Sequence, residues 1–348
     1  MKIDRVEIER LRGVRHGVVD GLSPLSILVG PNNCGKSTVL EALVLSWMSW
    51  AAPSNVPKFV RRRGGPIKDA LKTFVHGSSQ PLTTSVTIAS ASGSVKSSIS
   101  RPAVLSKDGI AQITTQGLRG NLFEFEVEAK FHDGSISRYR LYCDSSGKQA
   151  RGQKLSIGEP RAVSLSFVDV NTVRGPAELE AEYSRLEKWG RLDDAIAALR
   201  VSMPDLKDLR ILQVDDDFIL HITHKNQPPT PAYLAGDGFK RFLALAAALF
   251  DGEDEVLALE EPESYLHPRY VRELVALLHA QVRKGKQVIL CTHSHELIDQ
   301  LLTDEEGQPP IDATVHRLRL HEGELRSVAV SASDARLLRA ELFEDLRT

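Results

Sequence analysis

The chain has 348 residues, with 44 Lys plus Arg against 46 Asp plus Glu, a formal charge of −2, so any contact with nucleic acid or an anionic membrane must come from a local patch. At 42% hydrophobic and 26% charged it holds enough apolar material for a full core and too much for a disordered chain. Its apolar runs, such as 242–250, fall far short of the ~20 residues of a membrane span, MKIDRVEIERLRG lacks the apolar centre of a secretory signal, and Cys34, Cys143 and Cys291 show no CxxC spacing, so a reduced cytoplasmic setting is expected.

Ile3, Val6 and Ile8 alternate with charged residues over 2–9 and read as a strand, and LSILV at 25–29 reads as a short buried one. A Gly-rich turn follows, then an apolar helix from Ser37 to about Trp50, closed by Pro53 and Pro57. Residues 58–75 are locally basic, with Arg61, Arg62 and Arg63 at their centre. Residues 82–115, rich in Ser, Thr and Gly with alternating Val and Ile, read as strands. So do 121–131 and 136–142, joined by the hairpin turn HDGS at 132–135, and 163–170. Helical spacing runs from Pro176 to Val201, and Pro228, Pro229 and Pro231 mark a loop. The last third alternates: helix 239–250, strand 256–259, helix 270–283, strand 287–291, helix 295–302. Such alternation predicts a parallel sheet with helices on its faces. No repeat and no long heptad run occurs.

Gly30-Pro31-Asn32-Asn33-Cys34-Gly35-Lys36-Ser37 satisfies G-x-x-x-x-G-K-[ST] between a predicted strand and a predicted helix. Loop N–H groups and the helix N-terminus suit phosphates, Lys36 the β- and γ-phosphates, Thr38 the α-phosphate side, and the Ser37 hydroxyl a magnesium ion. The apolar strand VLALE ends in Glu260 and Glu261, which its direction delivers to the carboxyl edge of the sheet. There Glu260 would hold magnesium through water and Glu261 would polarise an attacking water.

With these motifs in place the chain resembles the ABC-class P-loop ATPases of the SMC/RecF/OLD type, over 1–50 and 205–330. The opening strand with Leu11 and Arg12 is similar to the family's F-R-G/S turn, which makes Arg12 a phosphate contact by resemblance. Glu260 stands where the family has Asp, and Glu261 matches its catalytic glutamate; Ser264-Tyr265-Leu266-His267-Pro268 is similar to its dimer-contact segment. Gly236, Asp237 and Gly238, within LAGDGFKR, look like a degenerate signature loop that caps the γ-phosphate held by another subunit; Gly236 replaces the signature Ser, and the glycines would permit close approach and positive φ. His293, in CTHS, looks like the switch histidine at the γ-phosphate or attacking water.

The resemblance implies an α/β P-loop NTPase of ABC-head type, a mixed central sheet flanked by helices. It divides into 1–54 and 206–348 forming the head, and 55–205 as an inserted lobe, β-rich and then helical. It implies a magnesium-dependent ATPase with Lys36, Glu261 and His293 in catalysis, forming a head-to-tail homodimer on ATP. The 348 − 293 = 55 residues after His293 are fewer than the roughly one hundred a metal-nuclease domain needs, so a nuclease or toxin effector is expected to be separate. By family analogy the role is that of sensor or motor in prokaryotic DNA maintenance or phage defence. The alternatives are a nucleotide-gated scaffold with little turnover and the ATP subunit of a transporter. The run 61–63 reads as a solvated loop, with DNA phosphate contact as its alternative, and Asp215–Asp217 as a solvated turn. Gln80 is a weak candidate for the family's Q-loop, and Cys34 is read as an inert filler of the phosphate loop.

Overall fold

Runs such as LSILV, VLAL and QVILC carry no polar interruption and must be covered on both faces. The computed structural model describes residues 2–60, 62, 70, 74–77, 82–101, 123–143, 150–156, 164–169, 176–201, 203–252, 255–303, 312–341 and 343–347. Its strands are β1 (Arg5–Leu11), β2 (Val14–Asp20), β3 (Leu25–Val29), β4 (Leu82–Ser90), β5 (Gly93–Arg101), β6 (Phe123–Phe131), β7 (Ile136–Cys143), β8 (Ala150–Ser156) and β9 (Leu165–Val168). They continue as β10 (Leu206–Val214), β11 (Asp217–His224), β12 (Thr230–Pro231), β13 (Val256–Glu260), β14 (Gln287–Cys291), β15 (Ala313–His321) and β16 (Glu324–Ser331).

Thirteen of these described strands form one sheet in the order β8-β7-β6-β5-β4-β1-β2-β16-β15-β3-β14-β13-β9. The run β15-β3-β14-β13-β9 is parallel, as strand–helix alternation predicts. The strands of 82–156 pair antiparallel and continue this sheet from β1 through the β1–β4 ladder. Strands β10, β11 and β12 form a small second sheet, and Asp215–Asp217 sit exposed at its hairpin turn. The fold is mixed α/β, a large central sheet flanked by helices. No helix among the described residues is long and apolar enough to cross a membrane.

The helix Lys36–Ala51 is apolar almost all round, because it lies on the sheet and is itself covered. Its Leu40, Leu43 and Leu45 are buried, each worth about 1.5–3 kcal/mol. The period of two along the strands divides the interior. Val256 and Ala258 of β13, Ile289 and Cys291 of β14, and Leu165 and Phe167 of β9 face this helix. Leu257, Leu259, Val288, Leu290 and Val168 face the opposite core, under the helices Asp237–Phe250 and Pro268–Arg283.

Two differences from the expected elements stand out. The helical stretch 176–201 is two helices, Pro176–Lys188 and Leu192–Arg200, because Gly190 takes φ 62° and ends the first. Strands β2, β8, β10, β11, β12, β15 and β16 and the helix Ala332–Ala340 are additional to the expected elements; β16 buries little, with only Leu325 deeply covered. Gln80 and residues 102–122 lie outside the described residues.

Candidate active site

The P-loop is shaped by its backbone. Gly30 has φ 145°, and a Cβ there would meet the Leu318 carbonyl oxygen at 2.5 Å and the Cys34 sulfur at 2.7 Å, so no side chain fits. Asn33 and Gly35 are also left-handed, at φ 62° and 98°. The loop and helix start, Asn32–Thr38, line a hollow of about 640 Å³ with Arg12, Gly13, His293 and Leu320. Lys36 is buried, and its Nζ donates to the carbonyls of Gly30 at 2.8 Å and Pro31 at 2.9 Å. Cys34 is buried with its sulfur 3.7 Å from Lys36 Nζ.

The carboxylate strand ends beside this hollow, whose lining includes His293 but neither Glu260 nor Glu261. Glu260 lies opposite Cys291 in the parallel pair β13–β14, so Glu261 and His293 emerge close together at the carboxyl edge. Glu261 is held at φ 44°, with its N–H donating to the Cys291 carbonyl at 2.9 Å. A left-handed non-glycine residue costs about 1–3 kcal/mol and is found where geometry matters to function. Its Oε1 is 3.7 Å from His293 Nε2, and the Ser264 hydroxyl donates to Oε2 at 3.3 Å. Burial and the nearby Lys36 charge hold the His293 imidazole below its ordinary pKa, against the opposing pull of Glu261.

Glu260 shares the helix-facing side of β13 with Val256 and Ala258, and this alternation turns it toward a buried charge cluster the sequence reading missed. Arg62 lies 3.4 Å from Glu260, 2.7 Å from Glu41, and against Asp169, with its guanidinium over the rings of Phe59 and Phe167. Arg12 pairs with the same Glu41 at 2.9 Å and lies over Phe74. Burial works against the Arg62 charge, but Glu41, Glu260 and Asp169 outweigh it and raise its pKa. This corrects the reading of 61–63 as a solvated or DNA-contacting loop as far as Arg62 is concerned, since its side chain is only 10% exposed. Arg61 and Arg63 lie outside the described residues. Two signals for the cluster were present: Glu41 is the lone acid in an apolar helix, and Asp169 ends an apolar strand as Glu260 does. Arg62→Lys keeps the charge but loses the planar fork. It should cost roughly 1.5–3 kcal/mol for the charged bond lost, read as a lower urea midpoint.

Gly236, Asp237 and Gly238 do not join the phosphate hollow. Gly236 and Gly238 line a second hollow of about 720 Å³ with Leu234, His267, Arg269 and Tyr270, and Asp237 begins the helix Asp237–Phe250. The expected positive φ is absent: Gly236 has φ −60°, and Gly238 lies within the helix. What glycine supplies at 238 is space, since a Cβ would sit 2.8 Å from the Tyr265 carbonyl oxygen. Gly238→Ala should destabilise the fold by about 1–3 kcal/mol, measurable by urea unfolding. From the same helix buried Arg241 donates to the carbonyls of Glu260 at 2.7 Å and Glu261 at 3.2 Å, and to that of Asp169. The helix Asp237–Phe250 and the carboxylate edge are thereby tied.

The donors present suit a nucleotide and its metal. Arg12 Nη2 is buried with no hydrogen-bond partner among the described residues and belongs to a side chain lining the hollow. The Ser37 hydroxyl at the helix start and the Glu260 carboxylate are hard oxygen ligands of the kind magnesium takes.

Two family models match parts of the chain. The family described as "AAA domain, putative AbiEii toxin, Type IV TA system" matches residues 157–299, and an "AAA ATPase domain" family matches residues 1–49. An uncharacterized protein of Methanocaldococcus jannaschii is 23% identical over 63% of this chain and 95% of its own length. The Nod factor export ATP-binding protein I of Burkholderia orbicola is 33% identical over 30% of this chain, which spans only 36% of that protein. An energy-coupling factor transporter ATP-binding protein of Mesomycoplasma hyopneumoniae is 26% identical over 44% of this chain and half of its own length. Among solved structures, the SMC head domain from Thermotoga maritima overlays 95% of this chain and 99% of its own, at 12% identity and a TM-score of 0.43. An SMC head bound to the C-terminal domain of ScpA, derived from Pyrococcus furiosus, overlays 98% of this chain and 99% of its own, at 12% identity and a TM-score of 0.48. The stretches matched in sequence carry the phosphate loop, the carboxylate strand and the His293 turn, and over them the chain is similar to AAA-type ATPase domains.

Proposed function

We propose that the chain binds ATP with magnesium over Gly30–Thr38 and hydrolyses it, two copies pairing head to tail so that each signature loop, Gly236–Gly238, closes the partner's hollow. The observation that carries hydrolysis is the approach of Glu261 and His293, 3.7 Å apart, at a hollow that Lys36 and His293 both line. Magnesium, held by the Ser37 hydroxyl and by Glu260, would supply charge neutralisation on the phosphates. Lys36 exchanges its loop carbonyls for phosphate oxygens, Glu261 orients and deprotonates the attacking water, and neutral His293 hydrogen-bonds the γ-phosphate or that water. Arg12 offers its spare N–H to the phosphates. Dimer pairing rests on the resemblance, and within one chain the two glycine-bearing loops line different hollows. A role as ATP-driven sensor or motor for a separate effector rests on the resemblance, and the matched family's description names a toxin–antitoxin system.

The test is phosphate release by the purified chain with light scattering in parallel, with and without ATP and magnesium. Turnover with an ATP-dependent doubling of mass is expected. A monomer under every condition refutes the pairing, and ATP binding without phosphate release favours the nucleotide-gated scaffold.

A further inference from the structure

We infer that Arg347 is a positioning residue for His293, gripping the switch turn from a strap formed by Phe343–Arg347. Arg347 Nη1 donates to the backbone carbonyl of His293 at 2.8 Å. The guanidinium is aimed by Asp345, whose carboxylate accepts from Arg347 Nε and Nη2 and from its backbone N–H, each at 2.9 Å. With two sides of the fork fixed on Asp345, the remaining nitrogen has one direction left, toward the His293 carbonyl. His295 Nε2 lies 3.4 Å from the same carboxylate, so the strap touches the turn on both sides of Ser294.

The strap has its own anchorage, which gives the grip something to hold against. Leu346 is fully buried in the core beneath the helices. Glu344 accepts from Arg317 Nη1 at 2.6 Å, and its N–H donates to the Leu338 carbonyl at 2.9 Å. Arg339 donates to the Glu344 carbonyl at 3.2 Å and forms a two-bond pair with Asp299 on the helix His295–Leu301 that follows the turn. The opposite flank of the turn is held by the Thr292 hydroxyl, which donates to half-buried Glu263 and accepts from the Ser294 N–H at 2.9 Å. His293 therefore sits between two clamps, one from the carboxylate loop and one from the strap. Only its imidazole is left to move, over the hollow beside Lys36 and Glu261. A carbonyl that accepts a charged N–H cannot rotate freely, and a catalytic group held less tightly loses rate before it loses ligand.

This inference rests on the proposed role of His293, and the experiment separates the two. Full-length wild type, Arg347→Gln, Arg347→Lys and His293→Ala would be compared for kcat, for binding of a fluorescent ATP analogue, and for the imidazole signals of histidine-labelled protein. The His293 signal is the one missing from His293→Ala. Arg347→Gln should lower kcat about 3- to 10-fold, as expected for a partly exposed charged bond. It should leave nucleotide affinity within about 2-fold and shift or broaden the His293 signal, and Arg347→Lys should recover part of each loss. An impaired His293→Ala beside an Arg347→Gln with wild-type kcat and an unmoved signal overturns the strap's role alone. Affinity falling in step with kcat reduces Arg347 to a structural contact and overturns it too. Wild-type turnover in His293→Ala overturns the role of His293 itself, and the inference with it.

Discussion

Lys36→Ala should lose nucleotide binding by about 10²- to 10⁴-fold, the worth of two charge-assisted bonds at roughly 1.5–3 kcal/mol each. The lysine is already bent over the loop, on the carbonyls of Gly30 and Pro31, so it reaches phosphate by a short exchange of partners. Burial of its stem means that little side-chain freedom is left to lose when it does so. Titration of a fluorescent ATP analogue measures the effect, and a thermal melt checks that the loop has kept its fold. Unchanged affinity in a folded variant would remove Lys36, and the hollow with it, as the phosphate site.

Glu261→Gln should slow phosphate release by roughly 10²- to 10⁴-fold, the usual contribution of a positioned general base. The amide keeps the volume and can still accept from Ser264, so binding should persist and ATP-bound pairs should accumulate. Single-turnover hydrolysis and scattering on the same sample would show both. Hydrolysis at the wild-type rate would mean that another group activates the water. Glu260→Gln is a different substitution, because that carboxylate faces Arg62 and the helix-covered side of β13. Adjacent glutamates on one strand end point to opposite surroundings, which gives each its own task.

The parts of the site written in local spacing were legible. The P-loop follows from eight consecutive residues, and the apolar strands betray their direction and their carboxyl ends, which is enough to bring Lys36, Glu261 and His293 to one edge. What could not be read depends on partners distant in the chain. Arg62 is indistinguishable from its neighbours 61 and 63 until Glu41, Asp169 and Glu260 surround it. Arg241 is one of many arginines until it is seen to hold the backbone of both glutamates. Arg347 sits in a charged stretch with no periodicity, and only Leu346, buried to zero exposure, marks that stretch as docked. Gly238 reads in sequence as a loop glycine that permits close approach and positive φ; in the fold the space is needed against the Tyr265 carbonyl, and the residue lies in a helix.

The β1–β4 ladder joins the wing of strands β4 to β8 to β1 and β2, and through them to the parallel strands of the same sheet. Its narrowest join is β2–β16, where only Glu324 with His16 and Leu325 with Gly17 pair. Bending at that join would change the angle between the β8 rim and the strands that end beside the loop of Gly30–Lys36, so a load on the rim would be felt there first as flexing and not as rotation of one stiff body.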